Sequence, residues 1–214
     1  MDSCSPAYRI HHYPTEWIET CVPADASRQT LRPILPQDAG LLDELVRGLS
    51  PQDRRRRFHG AVNLSPTRLQ EMACVDFARR VALVVTATVG GAERLIADAR
   101  YVVDADGLGA EFAIVVAAGW QRRGVGAWAL RALQEAATGA GLQWLRGDVL
   151  HDNTPMLGLV QQCGFALSQD PDDDGVLRAQ RRLGQRRLQP KPVHAGLLSW
   201  LRPTWAGRNT VVTT

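Results

Sequence analysis

Glycine and arginine residues in one short segment of the sequence suit the binding of phosphate groups. Segment 121–127 reads Q-R-R-G-V-G-A and lies between an apolar run and an apolar-periodic run. The first backbone amides of a helix lack intrahelical acceptors and carry partial positive charge, so a pyrophosphate suits such a position. Gly124 and Gly126 have no Cβ atom, which lets phosphate oxygens approach the backbone, and Arg122 and Arg123 add positive charge. The spacing alone fits an ordinary glycine-containing helix start equally well.

Glu111 is the residue near this segment that suits acid–base chemistry. It stands in the otherwise apolar run 110–116, where a buried carboxylate is energetically costly. Burial raises the pKa of a carboxyl group into the range of a general base, which accepts a proton from an attacking amine. We therefore expect Glu111 to be a catalytic base. The alternative is a strand with one solvated face, on which Glu111 would lie.

Periodicity and turn residues indicate the elements that position these side chains. Apolar β-branched runs predict strands at 30–34, 81–89, 95–103, 110–116, 142–149, 165–168 and 176–182. Capping residues predict helix starts at Asp38, Ser50 and Ser65, a helix after Gly124, and a helix over 153–163. This order predicts a mixed α/β sheet in which an antiparallel meander precedes a parallel crossover.

Several polar residues outside that segment have both a structural and a functional interpretation. Four adjacent arginines, 54–57, cannot share one face of a helix, so we expect most of them to be solvated. Asp76 either contacts a positively charged substrate or caps a turn. His59, His151 and Asp152 fall in different loops without the spacing of metal ligands, which favours surface roles. We therefore expect no metal site.

Length and composition favour one intracellular domain with tails. The chain has 214 residues, and the weakly patterned residues 1–28 and the basic and apolar residues 184–214 flank a domain over 29–183. The four cysteines form no C-x-x-C pair, which favours reduced thiols and a cytoplasmic location. The sequence shows neither a signal peptide nor an apolar stretch long enough to span a membrane. The formal charge of +3 is too small to indicate nucleic-acid binding.

Two motifs resemble those of the GNAT superfamily of N-acetyltransferases. Q-R-R-G-V-G at 121–126 resembles the Q/R-x-x-G-x-G/A signature of that family. N-T-P-M at 153–156, followed by Gly164 and Phe165, resembles the N-x-x-(A/M)…G-F segment, with the expected eleven residues from asparagine to glycine. The resemblance covers about residues 30–183. It implies the GNAT fold, an α/β (α+β) fold with a mixed, mostly antiparallel central sheet that is splayed near the strand of Glu111 and has helices on both faces.

The resemblance also implies a site for acetyl-CoA as acyl-donor cosubstrate, without a metal. The backbone of Val116 would bond the pantetheine arm, and Asn153 would bond pantetheine or a bound water. The pyrophosphate would lie on the helix start, so the implied cofactor-binding residues are Val116, Gln121, Arg122, Arg123, Gly124, Val125, Gly126, Ala127 and Asn153. Many family members carry a tyrosine seven residues after the asparagine, which protonates the leaving thiolate. Val160 stands at that position here, so the thiolate either leaves unassisted or receives its proton from another donor.

A finer resemblance concerns the acyl acceptor. Segments 50–58, 75–84 and 110–113 resemble the bacterial Pat-type protein-lysine acetyltransferases, in which a glutamate at the place of Glu111 is thought to act as base. This resemblance implies acetyl transfer to a primary amine, most of all a protein lysine, by direct attack without an acyl-enzyme. Two alternatives stay open: a small-molecule amine as acceptor, and a catalytically silent acyl-CoA-binding regulatory module. The sequence leaves the oligomeric state open, a homodimer included.

Overall fold

The computed structural model describes residues 13–22, 28–58, 64–170 and 173–184. Its strands are β1 Glu19–Cys21, β2 Gln29–Pro33, β3 Arg80–Val89, β4 Ala92–Val103, β5 Gly109–Val116, β6 Trp144–Leu150, β7 Ala166–Gln169 and β8 Val176–Arg182. Its α-helices are α1 Ala39–Arg47, α2 Pro51–Phe58, α3 Pro66–Ala73, α4 Val125–Gly139 and α5 Thr154–Gln162. Every strand and helix expected from the sequence is present, and β1 is an additional strand. His59 and most of the predicted C-terminal tail, residues 185–214, lie outside the described residues.

The helix starts follow the expected capping chemistry, with one exception. The hydroxyl of Ser65 accepts a hydrogen bond from the amide three residues later, at 3.2 Å. Ser50 and Asp53 form a reciprocal pair, in which the Asp53 amide donates to the Ser50 hydroxyl and that hydroxyl donates to the Asp53 carboxylate. Asp38 directly precedes α1, but its side chain does not cap that helix. Its carboxylate instead binds the guanidinium of Arg32, at 2.6 and 2.8 Å.

The strands form one mixed sheet in the order β1-β2-β3-β4-β5-β6-β8-β7. Neighbouring strands are antiparallel, except β5 and β6, which are parallel. The parallel pair needs a crossover, and α4 supplies it. The expectation of a mixed, mostly antiparallel sheet is therefore confirmed.

The sheet opens between β5 and β6. Their pairing covers only Gly109–Glu111 against Trp144–Arg146, although both strands continue beyond it. Gly147 lies directly after this short ladder and packs tightly on Phe112, because a Cβ atom at residue 147 would stand 2.9 Å from the Phe112 carbonyl oxygen. The splay near Glu111 that the resemblance implies is therefore present, and it leaves the edge of β5 accessible beyond that residue.

Two apolar clusters cover the two faces of the sheet. On one face, buried residues of α4 and α5, such as Leu130 and Val160, pack against Phe112 of β5. On the other face, residues of α1 and α3, such as Leu42, pack against Val115 of the same strand. Alternating residues of β5 thus serve opposite layers, as expected for a central strand. In the described part of the chain, no helix is long and apolar enough to cross a membrane.

The cysteines differ in their chemical state. Cys21 and Cys163 are free thiols, whereas Cys74 is disulfide-bonded. The expectation of reduced thiols is therefore wrong for Cys74, because only the fold decides which cysteines come close enough to bond. Cys163 is 3% exposed and belongs to the core, and burial raises the pKa of its thiol. This cysteine is accordingly a small apolar core residue.

Candidate active site

A cleft of about 1050 Å³ opens where β5 and β6 diverge. Its walls come from β5, the start of α4, β6, α5 and α2. The residues from the sequence-based site that line it are Glu111, Val116, Gln121, Arg122, Gly124, Gly126, Ala127 and Asn153. Two predicted residues lie differently. The side chain of Val125 is 2% exposed and belongs to the core, and the guanidinium of Arg123 lies 5.4 Å from the centre of the Trp120 ring.

The turn that leads into α4 contains two residues with a left-handed backbone conformation. Gly124, the residue that precedes the helix, has a φ of 84°, and Arg122 has a φ of 59°, so both lie in the left-handed region. This conformation carries little strain for glycine and turns successive amides toward one side. Gly124 has no side chain with which to cap the helix, and open space lies where its Cβ would be. The start of α4 is thus without a side-chain cap, and Gly124, Gly126 and Ala127 line the cleft there.

Gly126 has a packing role that the sequence did not reveal. A Cβ atom at this position would lie 3.2 Å from Cδ2 of Leu159 and 3.4 Å from Cγ2 of Val116. These contacts are tighter than ordinary van der Waals distances. The absence of a side chain therefore allows α4 to pack closely against β5 and α5, and the same absence leaves the backbone of Gly126 exposed to the cleft.

Gln121 binds the end of strand β5. Its side-chain amide donates a hydrogen bond of 3.2 Å to the carbonyl oxygen of Val116. Val116 is the residue whose backbone the resemblance assigns to the donor arm. A backbone carbonyl has two lone pairs, so the oxygen retains capacity for a second donor. Gln121 is itself an exposed residue.

Asn153 lies on the opposite wall of the cleft, at the start of α5. Its side-chain oxygen accepts a hydrogen bond from the amide of Met156 at 3.4 Å, so Asn153 is the N-cap of that helix. The nitrogen of the same amide group is a separate donor. Asn153 thus combines a structural role with a position in the cleft.

Glu111 lines the cleft but is an exposed residue. The expectation that it is buried in its apolar strand is therefore wrong. The cause is the end of the parallel ladder at Glu111 and Arg146, after which no neighbouring strand covers this edge. Glu111 shares a face of β5 with Val115, the face on which α1 and α3 pack. Its carboxylate is open to the cleft.

None of the described residues that line the cleft carries a hydroxyl group that could replace the tyrosine of many members of the resembled family. Val160 is fully buried in the core beneath α5 and does not reach the cleft. Cys163 is also buried, and burial raises the pKa of its thiol. Neither residue lines the cleft within the described part of the chain. Any leaving group that departs here therefore departs without a proton from these two positions.

Helix α2 contributes cleft residues that the sequence did not predict. The side chains of Arg56 and Arg57 are only 17% and 10% exposed, and both line the cleft together with Asp53. The expectation that most of the arginines 54–57 are solvated is therefore wrong, because α2 lies against β5 and buries one side of the run. Arg57 lies 3.5 Å from the carboxylate of Asp98, a residue of β4. A carboxylate in the middle of an apolar strand could have indicated from the sequence that a cation is buried beside it.

Asp148 is a further cleft residue that the sequence did not predict. It lies on β6, two residues beyond the partner of Glu111 in the parallel ladder. Its carboxylate accepts a hydrogen bond from Arg178 on β8 at 3.3 Å. The alternation of polar and apolar residues along 144–150 could have placed Asp148 on the polar face of β6.

Comparisons with known proteins agree with this geometry. The model of the Acetyltransferase (GNAT) family matches residues 52–165, more than half of the chain. An acetyltransferase of Pseudomonas aeruginosa is 27% identical over 158 residues, which are 73% of this chain and 84% of that protein. The acetyltransferase Pat of Mycolicibacterium smegmatis is 31% identical over 138 residues, which are 63% of this chain and 40% of that protein.

A solved structure shows the same similarity in three dimensions. The crystal structure of the GNAT domain of S. lividans PAT superposes with a TM-score of 0.71 at 29% identity. The superposition covers 80% of this chain and the whole of that domain. The similarity therefore extends beyond the two short motifs to the arrangement of the sheet and helices.

Proposed function

Because this chain belongs to the GNAT acetyltransferase family, we propose that it transfers the acetyl group of acetyl-CoA to a protein lysine, with Glu111 as general base. One observation carries this proposal: a single cleft along β5 has the uncapped start of α4 at one end and the Glu111 carboxylate at the other. The first feature suits the diphosphate of a nucleotide donor, and the second suits deprotonation of an amine.

The donor would lie along the open edge of β5. Its pyrophosphate would receive hydrogen bonds from the amides of residues 125–127, with Arg122 adding charge at the rim. The carbonyl of Val116 and the side-chain amide of Asn153 offer an acceptor and a donor to the pantetheine arm. Five residue steps separate Glu111 from Val116, and they span roughly 16 Å of extended strand. The donor must therefore reach the base through an extended arm, which the groove between β5 and β6 accommodates.

The reaction needs a neutral amine. A lysine amine has a pKa of about 10.4 and is almost wholly protonated near neutral pH. The Glu111 carboxylate accepts one of its protons, directly or through a water molecule. The amine nitrogen then attacks the thioester carbonyl carbon, the new C–N bond forms, and the C–S bond breaks. The nitrogen, which now carries a surplus proton, releases it to water and becomes the amide nitrogen of the product. The electron pair of the C–S bond leaves with sulfur as a thiolate. The thiolate can depart without a proton from a protein acid, because a thiol has a pKa of only about 8.5.

The choice of a protein lysine as acceptor depends on the similarity to Pat-type acetyltransferases. Two of the three segments that carry that resemblance, 50–58 and 110–113, contribute Arg57 and Glu111 to the cleft. The resemblance therefore lies at the site itself and not only in the core. A small-molecule amine is the alternative acceptor. An assay with lysine peptides and small amines distinguishes the two.

A coenzyme A release assay tests this function. The chain is supplied with acetyl-CoA and a panel of lysine peptides and small amines, and the free thiol is measured. We expect turnover on lysine peptides, and a fall in kcat of about 10²- to 10⁴-fold in Glu111→Gln, because the base is lost. Calorimetry should show unchanged binding of coenzyme A to that variant. Glu135→Gln is the matched control, because Glu135 is an exposed carboxylate on α4 outside the cleft.

Three other results would contradict parts of the proposal. Turnover on small amines alone would identify a small-molecule acetyltransferase. Coenzyme A binding without turnover on any amine would identify a silent acyl-CoA-binding module. Absence of coenzyme A binding would overturn the assignment of the α4 start as the pyrophosphate site.

A further inference from the structure

Two arginines share one buried carboxylate beside the cleft. Asp98 on β4 is 1% exposed. Arg100 holds it through two short hydrogen bonds, from Nε to Oδ2 at 3.0 Å and from Nη2 to Oδ1 at 2.6 Å. The remaining nitrogen of Arg100, Nη1, donates to the carbonyl of Met72 at 3.2 Å. Arg100 therefore neutralises Asp98 and has a partner for each nitrogen of its guanidinium.

Arg57 is the second guanidinium of this cluster, and it lies 4.9 Å from the centre of the Phe58 ring in a cation–π contact, while Asp98 is the carboxylate within 4 Å of it among the described residues. Its Nη2 lies 3.5 Å from Oδ2 of Asp98, beyond the usual length of a charge-assisted hydrogen bond. Its Nε is buried and has no hydrogen-bond partner among the described residues. Burial lowers the pKa of Arg57, Asp98 opposes this effect, and the neighbouring charge of Arg100 adds to it. A buried group of two cations and one anion is thus left with a net positive charge.

This charge faces the cleft. The side chain of Arg57 is 10% exposed and forms part of the cleft wall. Asp98 stands directly opposite Val115 in the antiparallel ladder, so the guanidinium that binds it lies over β5. Val115 is four residues beyond Glu111, which corresponds to roughly 13 Å of extended strand. Arg57 is therefore separated from the base by a distance that a few residues of an extended peptide cover.

The neighbouring arginines of α2 are committed elsewhere. Arg56 donates to the carbonyl of Asp152 at 3.0 Å, across the cleft mouth. Arg54 donates to carbonyls at the end of α1 and does not line the cleft. Arg55 is exposed. Arg56 also lines the cleft and has a buried Nε without a hydrogen-bond partner among the described residues. Arg57 differs from it because no Arg57 nitrogen has a hydrogen bond like that of Arg56 to Asp152: its Nη2 makes only the 3.5 Å contact with Asp98, in the part of the chain that the structure describes.

We propose that Arg57 binds a carboxylate of the acyl acceptor and thereby selects lysines that have an acidic side chain close by in the sequence. This inference rests on the proposed function, since it assumes a peptide acceptor in the same cleft. A guanidinium presents its donors in a planar fork that matches a carboxylate, and a partly desolvated pair of this kind discriminates strongly against a neutral group. The occupant of the subsite is thus an acidic peptide.

Peptide binding in the presence of coenzyme A tests the inference without requiring turnover. Each peptide has one lysine, with a single glutamate placed within about four residues on either side, or glutamine at the same position. We expect the best glutamate peptide to bind the wild-type protein at least about tenfold more tightly than its glutamine partner. In Arg57→Gln that ratio should fall to about twofold or less, while the affinity for the glutamine peptide stays the same.

The controls separate charge recognition from loss of folding. Arg55→Gln removes an exposed charge from the same helix and should keep the wild-type ratio. Arg57→Lys keeps the charge but not the fork, so its ratio should be intermediate. A second pair of ligands, lysine and lysinamide, distinguishes an acidic side chain from the α-carboxylate of a free amino acid. If Arg57 favours lysine over lysinamide more strongly than it favours the glutamate peptide over the glutamine peptide, the site still binds a carboxylate. That carboxylate would then be the α-carboxylate of a free amino acid, and the proposal of an acidic peptide would be wrong.

The comparison of glutamate and glutamine peptides on the wild-type protein needs no variant, so it decides the inference even if Arg57→Gln does not fold. Equal binding of the two peptides, no binding of either, or a preference that survives in a folded Arg57→Gln would overturn it. Weaker binding of coenzyme A to Arg57→Gln would also overturn it, because the subsite would then serve the donor. Acetylation of neutral and acidic peptides at equal rates would overturn the acidic subsite and leave the proposed function intact. Selective binding of acidic peptides without turnover would support the subsite and overturn the proposed function.

Discussion

At the scale of single residues, Asp76 shows how a carboxylate can organise a turn. One of its side-chain oxygens accepts hydrogen bonds from the backbone amides of Ala78, Arg79 and Arg80, at 2.7 to 2.9 Å. Partial burial raises the pKa of Asp76, but the three amide hydrogen bonds and the charge of Arg80 outweigh it and hold that pKa below 3.8. Of the two interpretations that the sequence leaves open for Asp76, turn capping is the one that these contacts support.

The lowered pKa of Asp76 gives a pH-dependent contribution to stability. Because the folded pKa lies below the ordinary value of 3.8, the contribution is complete above that value and is lost as the pH falls through the folded pKa. We expect Asp76→Asn to lower the denaturation midpoint at pH 7, and the difference from wild type to shrink below pH 3.8. Urea unfolding at several pH values measures it.

Asp106→Asn is a matched control for this prediction, because Asp106 is exposed and binds only one backbone amide, that of Leu108, among the contacts described. It should show a smaller loss at neutral pH. A difference between Asp76→Asn and wild type that stays constant from neutral to acid pH would contradict the prediction, since it would show that the charge has no part in the effect.

At the scale of elements, the start of α4 depends on the backbone conformation of Gly124. Its φ of 84° is in the left-handed region, which a Cβ atom disfavours by about 1–2 kcal/mol. We expect Gly124→Ala to lower the free energy of unfolding by about that amount. The substitution should also weaken coenzyme A binding, because relief of the strain turns the first amides of the helix away from the cleft.

Gly119→Ala provides the comparison for Gly124→Ala. Gly119 lies just before the same turn, has open space around the position of a Cβ atom, and has no left-handed φ. The Gly119→Ala protein should bind coenzyme A with the affinity of the wild-type protein, as measured by calorimetry. Equal effects of the two substitutions would show that the left-handed conformation is not what holds the helix start in place.

The junction of β5 and β6 depends on Gly147. A Cβ atom there would lie 2.8 Å from Cε1 of Phe112 and 2.9 Å from its carbonyl oxygen, so the strand backbone itself would have to shift. We expect Gly147→Ala to lower the free energy of unfolding by about 1–3 kcal/mol, as overpacking does. Denaturant titration measures it, with Gly40→Ala in α1 as control, because nothing lies near the Cβ position of Gly40. A Gly147→Ala protein as stable as wild type would show that the junction is not tightly packed.

At the scale of the whole molecule, the sheet has separate helical layers on its two faces and one short parallel junction near its middle. The cleft lies at that junction, between α2 on one side and α4 and α5 on the other. A ligand in the cleft therefore contacts elements from both layers. Binding to the folded state alone stabilises it in proportion to the logarithm of ligand concentration.

Coenzyme A should accordingly raise the melting temperature of the whole domain. At about 100 times Kd the expected stabilisation is about 2.7 kcal/mol, which corresponds to a rise of roughly 5–10 °C for a chain of this size. Calorimetric scanning measures it. Glu111→Gln should show the same rise in melting temperature as the wild-type protein, since the proposed base lies at the end of the cleft that would hold the acyl acceptor. Gly124→Ala should show a smaller rise. An unchanged melting temperature would contradict binding at the junction.

Local sequence patterns determined the elements of this protein and their chemical starting points. Ser50, Ser65 and Asn153 cap the helices that the sequence assigned to them, because a capping interaction involves residues only a few positions apart. The glycine-rich start of α4 is likewise a local feature. The sequence could not reveal β1, because its residues are exposed and owe their strand conformation to pairing with β2.

Contacts between distant segments determined the rest, and only the tertiary structure shows them. The early end of the β5–β6 ladder leaves Glu111 exposed in the cleft. The packing of α2 on β5 buries Arg57, although its neighbours in the sequence suggested solvation. Residue type and spacing thus determined what chemistry the chain could carry, whereas the burial and the partners of each charge depend on strands and helices far apart in sequence, whose positions no local pattern specifies.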